Sequence, residues 1–230
     1  MVGSKYFSGL WRSPDFLKLW VGETISLLGS QTTMLALPLV AALTLNASPI
    51  QMGWLGTLQY IPWLLIGLFA GAWADRLRRR PIMIVADLGR AVLLGFIPFA
   101  ALGGFLRIEH LYVIGFLVGI LNVFFEVAYA AFLPSLVSRE QLVEGNSKLQ
   151  TSASIAEIGG PGLAGWLIQV VSAPIAMIVD SLSFLVSAMF LSWIRTPEPN
   201  PGAFERRKPI FQEILDGLRI VLKHPILRAF

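Results

Sequence analysis

Gly71-Ala72-Trp73-Ala74-Asp75-Arg76-Leu77-Arg78-Arg79-Arg80 sets one aspartate and four arginines directly after an uncharged run, Ile50 to Trp73. A helix of that length crosses a hydrocarbon core of ~30 Å, and a basic cluster at its end marks a short cytoplasmic turn between two membrane spans. These ten residues orient the rest of the chain.

Composition agrees. Of 230 residues, 55% are hydrophobic and 14% charged, with a mean hydropathy of +0.69, whereas a soluble domain carries about a quarter charged residues. The net charge of +4 does not point to nucleic acid, because the basic residues fall between apolar spans. The absence of cysteine excludes disulfides, thiolate metal ligands and thiol nucleophiles. The two histidines, His110 and His224, lie in different loops, so no histidine metal site is expected. No serine, histidine and carboxylate set sits at matching depth, so the chain is not expected to be an enzyme.

Six apolar runs follow one another: 19–45, 50–73, 82–106, 111–133, 152–171 and 174–194. Ser13-Pro14-Asp15 is a helix-start signal before the first. A polar segment, 138–150, separates the fourth from the fifth, and only Ser172 and Ala173 separate the fifth from the sixth. The expected organisation is a cytoplasmic amino-terminal segment (1–18), a six-span transmembrane bundle (19–194) and a cytoplasmic linker (195–230). That linker opens on Thr196-Pro197-Glu198-Pro199-Asn200-Pro201-Gly202. It continues with Phe211, Ile214, Leu215, Leu218 and Val221 at helical spacing, an amphipathic surface helix leading toward an absent seventh span.

The chain has eighteen lysines and arginines. Arg90 is in a span and Arg107 in an external loop, which leaves sixteen on the side of the amino terminus. That asymmetry places both ends in the cytoplasm, with the lipid bilayer of a bacterial plasma (inner) membrane crossed several times.

Six ionisable residues fall inside the spans: Glu23, Asp87, Arg90, Glu126, Glu157 and Asp180. A charge there costs about 2.5 to 3.5 kcal/mol or more, and survives where it is paired or faces water. Glu23, Ser26, Ser30 and Thr33 form a polar stripe beside Gln31; either that face looks onto an aqueous path or Glu23 snorkels to the surface. Asp87 and Arg90, three residues apart, can pair within one helix. With Asp75 and Glu126 they form either a gating network or a structural ion pair. Gly160, Pro161 and Gly165 in the fifth span read as a helix-packing hinge. Glu157 is either a proton carrier or a hydrogen-bonded structural carboxyl. Asp180, which shares a face with Ser183 and Ser187, either binds a cation, caps a gate or hydrogen-bonds a neighbouring helix, and the last reading is preferred.

Gly71 to Arg80 resembles the loop between the second and third helices of the major facilitator superfamily, with Arg78 where the family has glycine. Gly160-Pro161-Gly162-Leu163-Ala164-Gly165 resembles the fifth-helix motif of the family's antiporters, with Ala164 and Ala156 at two glycine positions. Phe125 to Val137 and Leu142 to Leu149 are similar to the branch that contains enterobactin exporters and macrolide efflux proteins. Asp87-Leu88-Gly89-Arg90 and Val179 to Phe184 fit the same branch. An arginine typical of the fourth helix in many proton antiporters is absent; Asn122 and Glu126 stand in that region.

The resemblance implies an all-α membrane protein: a six-helix transmembrane bundle of two inverted three-helix repeats, one half of a twelve-helix fold. It implies a secondary transporter that exports drugs, macrolide-like compounds or siderophores by alternating access. No cofactor is implied; the proton gradient supplies the energy. The expected partners are an amphiphilic small-molecule substrate and the missing carboxy-terminal half, in cis or as a second chain. The conformational latch would comprise Gly71, Asp75, Arg76 and Arg79 with Asp87, Arg90 and Glu126. The substrate and proton pathway would comprise Glu23, Gln31, Met34, Asn122, Tyr129 and Glu157, with Phe125 beside them. The alternatives are a non-transporting half-bundle, as a regulatory or assembly subunit, and a lipid flippase on the same fold.

Overall fold

The computed structural model describes residues 9–74 and 77–198, the side chains of 68–74 excepted. Six long helices account for most of them: α1 (Pro14–Leu39), α2 (Pro49–Ala74), α3 (Arg79–Leu102), α4 (Ile108–Leu136), α5 (Leu142–Val171) and α6 (Ala173–Ser192). Among the described residues there is no strand. Asp75, Arg76 and the expected amphipathic helix lie outside the described residues.

Local sequence explains the helix ends. Ser13 caps α1 by accepting from the Phe16 N–H at 3.4 Å, and Pro14 occupies the first turn, where no N–H is needed. At its other end α1 runs into a π-helical turn, Val40–Thr44, and the chain reverses through Asn46 at φ 51, a value that asparagine tolerates. Ser172, at φ 82, is the whole connection between α5 and α6.

Two helices start earlier than the apolar runs. The first turn of α3 is made of Arg79 and Arg80, because Glu198 supplies acceptors to its free N–H groups (2.7 and 2.9 Å). The polar segment 138–150 is mostly the start of α5. Its polar side chains have partners there: Glu144 accepts from the Leu10 N–H (3.3 Å) and pairs with Lys148 (3.3 Å), whose ammonium lies 4.1 Å over the Trp11 ring.

Among the described residues, four helices are long and apolar enough to cross a membrane: α1 with its π turn, α3, α4 and α6. At ~1.5 Å per residue α2 and α5 also exceed ~30 Å. α2 carries Gln51, Thr57 and Gln59 among its apolar residues, and α5 carries Glu144, Lys148 and Glu157.

Packing follows a simple scheme. α1 lies on α6 and α5, α4 on α3 and α2, and α3 on α6. Exchanging α1, α2 and α3 for α4, α5 and α6 maps this set of pairs onto itself. Small residues permit the close approaches. A Cβ at Gly29 of α1 would overlap the Ser183 side chain of α6, and one at Gly119 of α4 would stand 2.6 Å from the Gln59 carbonyl oxygen of α2. Two apolar clusters result. One gathers Leu37, Leu94, Ile97, Leu111, Met177 and Phe184; the other gathers Phe16, Leu19, Met83, Phe125, Phe132 and Leu191. The buried polar side chains of α3 lie where these clusters meet.

Candidate functional site

Arg90 and Asp87 occupy that junction. Both are buried, at 6% and 0% exposure, and they form an ion pair along α3. They stand three positions apart, so both side chains leave the same side of the helix. The Arg90 guanidinium also donates to the Asn122 Oδ1 of α4 at 3.0 Å. It lies between two aromatic rings, 4.3 Å from the centroid of Phe125 and 4.2 Å from that of Phe184. One ring belongs to each apolar cluster. A guanidinium suits this place: it stays charged, presents a flat face to each ring and still projects its N–H groups sideways.

Beside it is a cavity of about 450 Å³. Glu23, Ser26 and Ser30 of α1, Arg90 of α3, Asn122, Phe125, Glu126 and Tyr129 of α4, and Asn146 and Gln150 of α5 reach it. Phe125 and Tyr129, one turn apart, stack with centroids 6.0 Å apart and an interplanar angle of 14°. The cavity thus combines an aromatic wall, amide and hydroxyl groups, two carboxylates and one guanidinium already committed to Asp87. With Glu23 and Glu126 ionised its charge is net negative. Such a chamber can accept an amphiphile with a cationic end, or hold protons in its place.

Glu23, Asn122 and Tyr129 therefore stand together, as does Glu126, which is exposed to the cavity while Arg90 pairs with Asp87 instead. Gln31 does not line this cavity. It packs against Gly160 so closely that a Cβ there would overlap its side chain. Met34 is 66% exposed further along α1. Glu157 is exposed on α5, eleven residues beyond Asn146 and so near the same helical face. Pro161 lies within α5, which continues past it to Val171; a Cβ at Gly165 would meet open space. Gly71 lies in α2, and Arg79 opens α3.

Sequence reasoning missed Asn146 and Gln150. Their signal was the spacing Asn146, Gln150, Ala153, a helical stripe in a segment that had read only as polar. It also treated Arg90 solely as a latch residue, although the guanidinium borders the cavity.

Comparison with known proteins bears on this geometry. The model of the Major Facilitator Superfamily matches residues 19–230. An uncharacterized MFS-type transporter, YfiS of Bacillus subtilis, is 27% identical over 224 residues, covering 92% of this chain and 50% of that protein. Macrolide efflux protein A of Streptococcus pyogenes is 25% identical over 215 residues, covering 93% and 53%. The multidrug efflux pump Tap of Mycolicibacterium fortuitum is 28% identical over 227 residues, covering 95% and 54%. The chain spans about half the length of these curated relatives. A family model that covers nearly the whole sequence, on a helical chain whose spans enclose a polar cavity, leads to one conclusion: the chain is a membrane protein belonging to the Major Facilitator Superfamily of transporters.

Proposed function

We propose that the chain forms the amino-terminal half of a secondary transporter that exports amphiphilic compounds, among them drugs, macrolide-like molecules or siderophores, in exchange for protons. The observation that carries this is the cavity in which α1, α3, α4 and α5 bring together Glu23, Arg90, Asn122, Glu126 and the stacked Phe125 and Tyr129. Efflux proteins among the relatives support the direction. The self-mapping helix pairs support two inverted three-helix repeats, hence a six-span half of a twelve-helix fold.

In this scheme residues 1–18 and 195–230 are cytoplasmic and 19–194 span a bacterial plasma membrane. A second half, in cis or as another chain, closes the cavity. The apolar part of the substrate lies on Phe125 and Tyr129, Asn122 orients its polar groups, and Glu23 and Glu126 bind either its cationic end or a proton. Glu157, Gln31 and Met34 continue the pathway along α5 and α1. One charge state per carboxylate couples the two fluxes: a proton arriving releases the cation, and a cation arriving releases the proton. Gly71, Asp75, Arg76 and Arg79, with the Asp87–Arg90 pair and Glu126, form the latch that holds the cytoplasmic side shut.

The test is accumulation of a macrolide, a siderophore and a fluorescent amphiphilic cation in cells lacking other pumps, with and without an uncoupler. Lower accumulation that the uncoupler abolishes is expected for at least one compound. Unchanged accumulation of all three favours a non-transporting bundle.

A further inference from the structure

Asp180 lies outside the cavity just described and is 1% exposed. Its Oδ1 accepts from Ser30 of α1 at 3.5 Å and from Ser183 of α6 at 3.2 Å; the Ser183 hydroxyl also lies 2.8 Å from the Asp180 carbonyl. Its Oδ2 is buried and has no hydrogen-bond partner. Thr33, one turn from Ser30, is close enough to interact with the same carboxylate, but its Oγ1, like Oδ2, is buried and meets no partner in good hydrogen-bond geometry. Arg90 is the basic group whose charge reaches Asp180, and that guanidinium is already bound to Asp87 and Asn122.

A buried carboxylate without a basic partner is costly in a membrane interior and needs a neutralising charge. Here five oxygen atoms converge from two helices: both carboxylate oxygens and the hydroxyls of Ser30, Thr33 and Ser183. Gly29 makes the convergence possible, because a Cβ there would stand 2.8 Å from Asp180 Oδ1 and overlap Ser183. A metal ion needs no donor direction, so it can engage Oδ2 and Thr33 Oγ1 together where their hydrogen-bond geometry is poor. The single carboxylate and otherwise neutral hydroxyls suit a monovalent cation; a hard divalent ion draws more carboxylates.

We propose that Asp180, Ser30, Thr33 and Ser183 form a binding site for a small monovalent cation of the size of sodium. Ser30 also lines the cavity, so it gives the ion a route in and makes one hydroxyl common to both sites. Asp180 is followed one turn later by Phe184, whose ring covers Arg90, which links the ion to the Asp87–Arg90 pair through α6. Binding itself does not depend on the transport reading; use of the ion in coupling does.

The experiment is thermal unfolding of the purified chain in detergent, followed by tryptophan fluorescence, while sodium chloride replaces choline chloride at constant ionic strength. A saturable rise in the melting temperature with sodium, much weaker with potassium, is expected. Thr33→Val and Ser30→Ala should each raise the half-saturating sodium concentration at least about tenfold, and Asp180→Asn should abolish the response. If Asp180→Asn does not purify as a monodisperse protein, the Thr33→Val shift decides. A wild-type protein indifferent to sodium, an unchanged midpoint in Thr33→Val, or stabilisation by acid in place of sodium overturns the site, the last by showing a protonated carboxyl. A negative efflux assay leaves this site standing, and a missing sodium response leaves the efflux reading standing.

Discussion

Glu198 and Arg80 hold each other's helices: the Glu198 carboxylate accepts from the Arg80 backbone N–H at 2.9 Å, and the Arg80 guanidinium donates to the Leu191 carbonyl at 2.7 Å, at the end of the helix that leads to Glu198. The same carboxylate takes the Arg79 N–H at 2.7 Å, and the same guanidinium reaches the Ser192 carbonyl. The free N–H groups of α3 and the free carbonyls of α6 are thereby satisfied, each by a charge of the sign that the helix dipole favours. Glu198→Ala should lower stability by about 1 kcal/mol, read as a drop in the melting temperature in detergent. Glu198→Gln, which keeps an acceptor, should lose less. An unchanged melting temperature in Glu198→Ala would show that the contact is incidental.

The Asp87–Arg90 pair should behave as a buried unit. Removing one partner strands a charge and costs about 3 to 5 kcal/mol, so Arg90→Met and Asp87→Asn should each sharply reduce the yield of folded protein. Asp87→Asn with Arg90→Met should recover part of the loss, because no net charge remains buried. A double-mutant cycle on melting temperatures measures this; additive losses would contradict the pairing.

Close helix approach gives a third expectation. Gly29→Leu forces α1 away from Ser183 and Asp180, and overpacking of this kind costs about 1 to 3 kcal/mol. Gly162→Ala, where a Cβ meets open space, should be neutral or slightly stabilising, since alanine is the better helix former by about 1 kcal/mol. Size-exclusion profiles of the two variants at rising temperature test the contrast. Equal behaviour would mean that α1 and α6 do not pack as described.

Much of the fold was legible because long apolar runs announce themselves: each of the six produced a helix, and Ser13-Pro14 fixed the start of α1 through its cap. The start of α5 was hidden, since its first turns are polar and owe their partners to Leu10 and Trp11, more than 130 residues away in sequence. The same limit applied to the site. The Asp87–Arg90 pair followed from helical spacing, whereas the Glu23 stripe left open whether that face meets an aqueous path or Glu23 snorkels to the surface. That Arg90 is gripped by Phe125 and Phe184 and tied to Asn122 depends on three helices meeting, which no local pattern encodes. Glu198 had read only as part of a Pro-rich linker, because a cap contributed from 118 residues away has no sequence signal.

Efflux by cavity variants probes the central claim most directly. In cells lacking other pumps, the initial rate of export of a fluorescent amphiphilic cation would be measured for wild type, Glu126→Gln, Tyr129→Ala and, as a control outside the cavity, Glu140→Gln, all matched for membrane abundance. The account predicts at least about a tenfold loss for Glu126→Gln, consistent with removal of a charge partner worth ~1.4 kcal/mol or more. Tyr129→Ala should show a smaller loss, Glu140→Gln a rate near wild type, and an uncoupler should abolish every rate. Wild-type export by Glu126→Gln, or an equal loss in Glu140→Gln, would contradict it.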